Sequence, residues 1–419
     1  MAKIKEIKSS EILDCRGNPT IETAVVLDDG NIGIADCPSG ASVGSYEALD
    51  LRDHDENRFN GLGILKAIDS VQNIITPKLI GLEVNKQQEI DRLMIELDGT
   101  QNKGKLGANA ILSVSMAVAK AAAKTSVLPL FSYLKKFIKN SPPVWKIPTP
   151  AFNLINGGKH TDGNLILQEF LIIPASSKTY AQSLEIGTSV YRNLKSIIKQ
   201  KNLLTLVGDE GGFSPNVASS VDALTIMKDA ITKAGFNYSF DVFFGLDAAA
   251  NSFHKDGKYK IKNNADPLSS DELISYYEEL NKNFGFLYLE DPLGEDDWNG
   301  WTKITQRLSQ NTIIVGDDLT VTNPYRLAMA IDKNAITGIV IKPNQIGTVI
   351  ETLAVIEVAR MAGLKIIVSH RSGETNDDFI ADLAVAVGAD YVKFGAPARG
   401  ERVAKYNRLL QIEEQLKTL

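Results

Sequence analysis

Residues 286–290 (FLYLE), 312–317 (TIIVGD) and 338–342 (GIVIK) decide the fold, because each is a short apolar, β-prone run that ends on an ionisable residue. Working outward, runs of the same kind recur at Phe170–Ile173, Leu203–Val207, Val242–Leu246, Lys365–Val368 and Tyr391–Phe394. Stretches able to hold helices lie between them. Eight such strands predict a (β/α)8-type barrel of the α/β class. A doubly wound open sheet is the alternative and fits the strand count almost as well.

The residues that follow these runs carry a second regularity. At or near the C-terminal ends stand Glu210, Asp247, Glu290, Asp317, Lys342, His370 with Arg371, and Lys393. Their separations are 37, 43, 27, 25, 28 and 23 residues, about one strand–helix unit each for the later ones. One or two charged strand ends would be ordinary loop residues. Seven in succession predict a catalytic rim, since barrel active sites form at that face.

The first third reads differently. Thr20–Leu27, the turn Asp28-Asp29-Gly30-Asn31 and Ile32–Cys37 predict a β-hairpin, followed by a Gly/Ser-rich loop at 38–45. Helical periodicity follows near Ile64–Ile74, Gln87–Leu97 and Ala108–Lys124. The expected organisation is an N-terminal α+β capping domain over 1–140, a Pro-punctuated boundary from Pro142 to Pro150, and a catalytic barrel over 146–419.

Composition narrows the function. The 419 residues carry a net charge of −6 and no basic block, which argues against a nucleic-acid or anionic-membrane surface. The apolar stretch Ala108–Ala123 is interrupted by Asn109, Ser113, Ser115 and Lys120, so no membrane span is expected. The N-terminus lacks a signal-peptide core, and Cys15 and Cys37 resemble no secreted disulfide framework. A cytoplasmic enzyme is expected.

Asp247, Glu290 and Asp317 end three successive strands, the third to the fifth, and would repel one another without a cation between them. Hard carboxylate oxygens suit Mg²⁺. Separate strand-end caps are the plainer alternative for each alone. Zinc is disfavoured, as there is no HExxH and no Cys cluster, and the four histidines are scattered. Glu210 and Lys342, counted on the second and sixth strands, would face each other across the barrel. Lys342 would be a base kept partly neutral by nearby cations, and Glu210 an acid, as an anti elimination requires. For Lys342 the alternative is a buried ion pair with one of the carboxylates; for Glu210 it is a simple turn residue. Arg371, Ser372 and Lys393 follow the seventh and eighth strands, where barrels commonly bind phosphate.

With these residues in place, the chain resembles the enolase family along nearly its whole length. The resemblance rests on Ile12–Thr20 (ILDCRGNPT), Pro38–Ser42 (PSGAS), Gly208–Asn216 (GDEGGFSPN), Glu290–Trp298 (EDPLGEDDW), Gly316–Pro324 (GDDLTVTNP), Lys342–Thr348 (KPNQIGT) and Ser369–Thr375 (SHRSGET). It implies reversible dehydration of 2-phosphoglycerate to phosphoenolpyruvate, with Glu210 as proton donor and Lys342 as proton acceptor. It further implies Asp247, Glu290 and Asp317 as ligands of a first Mg²⁺, and Ser42, on a mobile loop 38–45, as a ligand of a second. His160, Gln168, Glu169, His370, Arg371, Ser372 and Lys393 would contact the substrate or support catalysis. A homodimer, or a higher oligomer built from dimers, is also implied.

Val43, Lys159, Phe394 and Gly400 depart from the usual family pattern, and none removes a proposed catalytic group. A racemase or cycloisomerase of the same superfamily would carry a Lys-x-Lys pair where 203–210 reads LLTLVGDE. A nicotinamide fingerprint is lacking, since Gly61-Leu62-Gly63 has no third glycine. A non-catalytic scaffold on the same fold is the alternative from another class.

Overall fold

The computed structural model describes residues 2–40, 44–140, 143–161, 165–261 and 266–418. The chain opens with an antiparallel meander of β1 (Ile4–Leu13), β2 (Pro19–Leu27) and β3 (Ile32–Asp36). The expected hairpin is β2–β3, while β1 extends it by a strand that the mixed run IKEIKSSEIL did not announce. Helices α1 (Gln87–Asp98) and α2 (Ala108–Thr125) follow. α2 lies directly on the sheet because Gly33 has no side chain: a Cβ there would sit 2.1 Å from the Ala117 carbonyl oxygen. The small residues of α2 answer that close approach, and the Thr23 and Ser113 hydroxyls pair at 2.7 Å within it.

Eight strands then close into a barrel: β4 (Thr149–Asn156), β5 (Glu169–Pro174), β6 (Val242–Asp247), β7 (Phe286–Glu290), β8 (Ile313–Gly316), β9 (Gly338–Ile341), β10 (Lys365–Ser369) and β11 (Tyr391–Lys393). Ala151, Leu171, Ile173, Tyr288, Val315, Val340 and Ile367 fill its interior, and helices cover the outside, so the strands are buried on both faces. The open-sheet alternative is excluded by the closure.

Two strand assignments need correction. The first barrel strand is Thr149–Asn156, which begins at the end of the Pro-punctuated stretch expected to be a boundary. Pro150 is tolerated at the second position of that strand, close to where a missing N–H costs least. Leu203–Val207, expected as a strand, is not one: it makes only an isolated bridge from Val207 to Phe213, and Leu204 and Leu206 are exposed. Leu203 packs against the core, but the run offers it no continuous buried face.

The correction changes the topology. β5 runs antiparallel to both β4 and β6, whereas the remaining neighbours pair in parallel. An antiparallel strand begins where its neighbours end. Glu169, the first residue of β5, therefore pairs in register with Asp247 and Asn156, the last residues of β6 and β4. It joins the rim by that reversal.

Candidate active site

Asp247 and Glu290 are the last residues of β6 and β7, and Asp317 directly follows β8. These strands are neighbours in the barrel, so the three acids share one arc of the rim as expected. Lys393, the last residue of β11, stands four strands around the ring from Glu290. Its ammonium crosses the mouth and donates to Glu290 Oε1 at 2.6 Å, Asp247 Oδ2 at 2.9 Å and Glu169 Oε1 at 3.3 Å. Burial opposes its charge, yet these carboxylates hold Lys393 protonated, well above the ordinary lysine range.

Lys342 follows β9 and forms an ion pair with Asp317. Burial again opposes the charge, and Arg371 and Lys393 add to that opposition, but Asp317 outweighs them and raises the lysine's pKa. The expectation of a partly neutral lysine is therefore corrected: in this arrangement it is a charged member of a buried pair, the alternative that the sequence left open. Glu210 also departs from its expected place. It belongs to no barrel strand and sits in a turn closed by the bond from Gly208 N–H to the Gly212 carbonyl, 2.8 Å. Asn153 of β4 donates to its Oε2 at 3.1 Å, and His370 Nε2 lies 3.3 Å from the same oxygen. Gly395 lets the turn settle, since a Cβ there would meet the Glu210 carbonyl oxygen at 2.8 Å. Glu210 and Lys342 nonetheless line one cavity.

That cavity is polar and strongly acidic. Among the described residues, seven carboxylates line it (Glu47, Glu169, Glu210, Asp247, Asp291, Asp317 and Asp318) against three cations, Lys342, Arg371 and Lys393. Glu290 lies just beneath, fully buried and bonded to Lys393 and the Tyr288 hydroxyl. Buried anions in excess of their partners must take up protons or bind a cation. Burial, reinforced by neighbouring acids, accordingly raises the pKa values of Glu169, Glu290, Asp291 and Asp318. Asp291, Asp317 and Asp318 bring ligand oxygens within 4.8 Å of one another. The donor set, all oxygen and carrying surplus negative charge, fits a hard divalent cation.

Arg371 and Ser372 reach the cavity after β10. Arg371 is buried and donates to Glu47 Oε2 at 2.9 Å and Asn344 Oδ1 at 3.1 Å. Gln168 and Glu169 line the same cavity. Burial first, and then the charge of Arg402, push His370 down to about 3 against the pull of Glu210, so its imidazole is neutral. The backbone of His160 lies in a short turn with exposed Lys159. Ser42 and Val43 lie outside the described residues, although the flanks of their loop are defined. Ser39 pairs with Gly373 through both backbone bonds and donates to Asp14 at 3.0 Å, while Arg16 donates to the Gly40 carbonyl at 3.2 Å. Phe394 is buried against Tyr406, and Gly400 opens the helix α3 (Gly400–Leu416).

Several residues of the site escaped sequence reasoning. Asp291 and Asp318 directly follow two predicted acids, so the tandem pairs Glu290-Asp291 and Asp317-Asp318 were an available signal. Asp291 accepts the backbone N–H groups of Asp317 at 2.9 Å and Asp318 at 2.7 Å, which ties the β7 and β8 loops together. Glu47 and Arg402 carried no local signal. Their partners lie 324 and 32 residues away.

Comparison with known proteins matches this geometry. The profile of "Enolase, N-terminal domain" covers residues 4–134, and that of "Enolase, C-terminal TIM barrel domain" covers 144–418. An enolase of Acidothermus cellulolyticus is 49% identical over 416 residues, spanning 99% of this chain and 95% of its own. Two adjoining domain profiles, a nearly full-length relative and a closed barrel with an acidic rim agree: the chain belongs to the enolase family.

Proposed function

We propose that this chain catalyses the reversible, Mg²⁺-dependent dehydration of 2-phosphoglycerate to phosphoenolpyruvate, as a hydro-lyase of its family. The observation that carries this reading is the placement of Lys342 and Glu210 on one buried cavity with a large excess of carboxylates. Lys342 takes the proton from the substrate's α-carbon. It does so as the neutral amine, which Arg371 and Lys393 favour; Asp317 sustains its charge, so a divalent cation engaging Asp317 would free the lysine to lose its proton. Glu210, held by Asn153 and approached by His370, delivers a proton to the departing hydroxyl. Arg371 and Ser372 bind the phosphate, and Gln168, Glu169, His160, His370 and Lys393 orient the remainder of the substrate.

Asp247, Glu290 and Asp317 would hold a first Mg²⁺, and Ser42 would join a second. Bound there, the metal supplies positive charge where the substrate carboxylate becomes most negative. A lysine base working beside one or two Mg²⁺ ions is the general pattern of the enolase superfamily, and the combination is carried over from that group. Residues 1–140 would form the capping domain, with 38–45 as its loop over the substrate, and 146–419 the catalytic domain. A cytoplasmic homodimer completes the reading; among the described residues no helix is long and apolar enough to cross a membrane. Mixing the protein with 2-phosphoglycerate and Mg²⁺ should raise absorbance in the enolpyruvate band. Silence across pH and metal concentration would overturn the activity.

A further inference from the structure

Arg402 touches the site from behind. It is fully buried near the start of α3, with no exposed surface. Its Nη1 donates to the Arg371 carbonyl at 2.6 Å, and its Nη2 to the Ser372 carbonyl at 2.7 Å and the Asp209 carbonyl at 3.3 Å. One guanidinium thus ties the segment that carries Arg371 and Ser372 to the turn that carries Glu210. Nη1 also lies 2.7 Å from His370 Nδ1.

That last contact has a chemical consequence. A guanidinium in a protein keeps its proton and offers only donors. His370 Nδ1 must therefore accept, and cannot carry hydrogen. In a neutral ring the hydrogen is then on Nε2, the atom 3.3 Å from Glu210 Oε2. We infer that Arg402 is a positioning residue that fixes His370 as the Nε2–H tautomer and, through it, orients the carboxyl group of Glu210.

Glu210 Oε2 accepts from Asn153 at 3.1 Å, and the Nε2–H of this tautomer approaches the same oxygen at 3.3 Å. An oxygen that already accepts one hydrogen bond and faces a second N–H is the poorer place for a carboxylic proton. The transferable proton is thereby directed to Oε1. With the other tautomer, Nε2 would present a lone pair to Oε2, and the proton would be drawn into a His–Glu hydrogen bond instead. Arg402 decides between these states without meeting the substrate. The inference rests on Glu210 being the acid only for its consequence in catalysis; the tautomer itself stands on the Arg402–His370 geometry.

A long-range proton–nitrogen correlation spectrum of the full-length protein labelled with nitrogen-15 histidine tests it. There are 4 histidines to assign, and His370→Gln identifies the relevant one. Wild-type His370 should show hydrogen on Nε2 and a lone pair on Nδ1 at neutral pH; an Nδ1–H ring or an imidazolium there overturns the proposal without any variant. In Arg402→Met, the His370 signals should shift toward a tautomer mixture while His54 and His254 stay unchanged, which reports a folded chain. Dehydration should fall about ten- to hundredfold, as for other residues that orient a functional group from behind, with solvent exchange of the α-proton retained. An unchanged tautomer in Arg402→Met, or dehydration at the wild-type rate, overturns the positioning role. If the tautomer responds as expected but Glu210→Gln dehydrates normally, the acid assignment fails and the Arg402–His370 lock survives.

Discussion

Two of the places where this molecule buries carboxylates are built on opposite terms. Beneath the N-terminal helices, Asp91 of α1 is completely enclosed. Its oxygens accept from the Ser115 hydroxyl at 2.7 Å, the Gln87 amide at 3.0 Å and the Ile350 N–H at 3.1 Å. Neutral donors from α1, from α2 and from the barrel helix after Thr348 close around one acid. Burial still lifts it to about 7, partly offset by those hydrogen bonds. At the barrel rim, among the described residues, the acids outnumber the cations, and neutral donors to single acids, such as Asn153 to Glu210, do not offset that excess of charge. A structural node satisfies itself; the rim is arranged for something that arrives from outside.

The largest test of that contrast is catalytic. Lys342→Ala should abolish α-proton exchange, and Glu210→Gln should block dehydration while exchange persists, each loss being on the order of 10²–10⁴-fold. Isotope exchange and phosphoenolpyruvate formation, measured separately, distinguish the two. Simultaneous loss of both activities in Glu210→Gln would contradict its role as the acid.

Lys393→Met asks whether the rim's charge balance is also structural. Without metal, Glu169, Asp247 and Glu290 would lose a shared cation, and unfolding free energy should drop by about 3–5 kcal/mol. Added Mg²⁺ should restore part of it, since a ligand that binds only the folded state stabilises that state. Denaturant titration with and without the metal reads both. The same substitution strategy at Asp317 is milder: Asp317→Asn should weaken Mg²⁺ binding about tenfold or more, and an unchanged calorimetric isotherm would remove it from the ligand set.

Asp91→Asn addresses the other region. Because the folded-state pKa is raised to about 7 from an ordinary carboxylate value, Asp91 favours folding fully below the unfolded pKa. That stability is lost as pH rises through the folded value, at up to about 1.4 kcal/mol per pH unit between the two. The asparagine variant should flatten this part of the stability profile while leaving dehydration near the wild-type rate. A slope identical to wild type would show that Asp91 does not titrate there.

Much of the architecture was legible because it is local. Six strands, β6 to β11, each read as an apolar run followed by an ionisable residue, and strand-to-strand spacing then placed Asp247, Glu290 and Asp317 side by side. The pattern failed where locality failed. Thr149–Asn156 was obscured by flanking prolines, and Leu203–Val207 resembled a strand that no neighbour completes. Tandem acids at 290–291 and 317–318 could have brought Asp291 and Asp318 into the site earlier. Nothing local could have selected Glu47 or Arg402 as the partners of Arg371 and His370.

Periodicity, composition and the order of the charged strand ends were enough to predict a barrel, with an open sheet as the alternative, to bring Asp247, Glu290 and Asp317 to one rim, and to name Glu210 and Lys342 as candidates. They are carried by neighbouring residues, whose alternation depends on burial alone. The reversal of β5, which brings Glu169 to the rim, was decided only in three dimensions. So were the pairings of Lys342 with Asp317 and of Lys393 with acids on the far side of the mouth. Such pairings depend on which strands meet when the ring closes, and closure is a property of the whole chain.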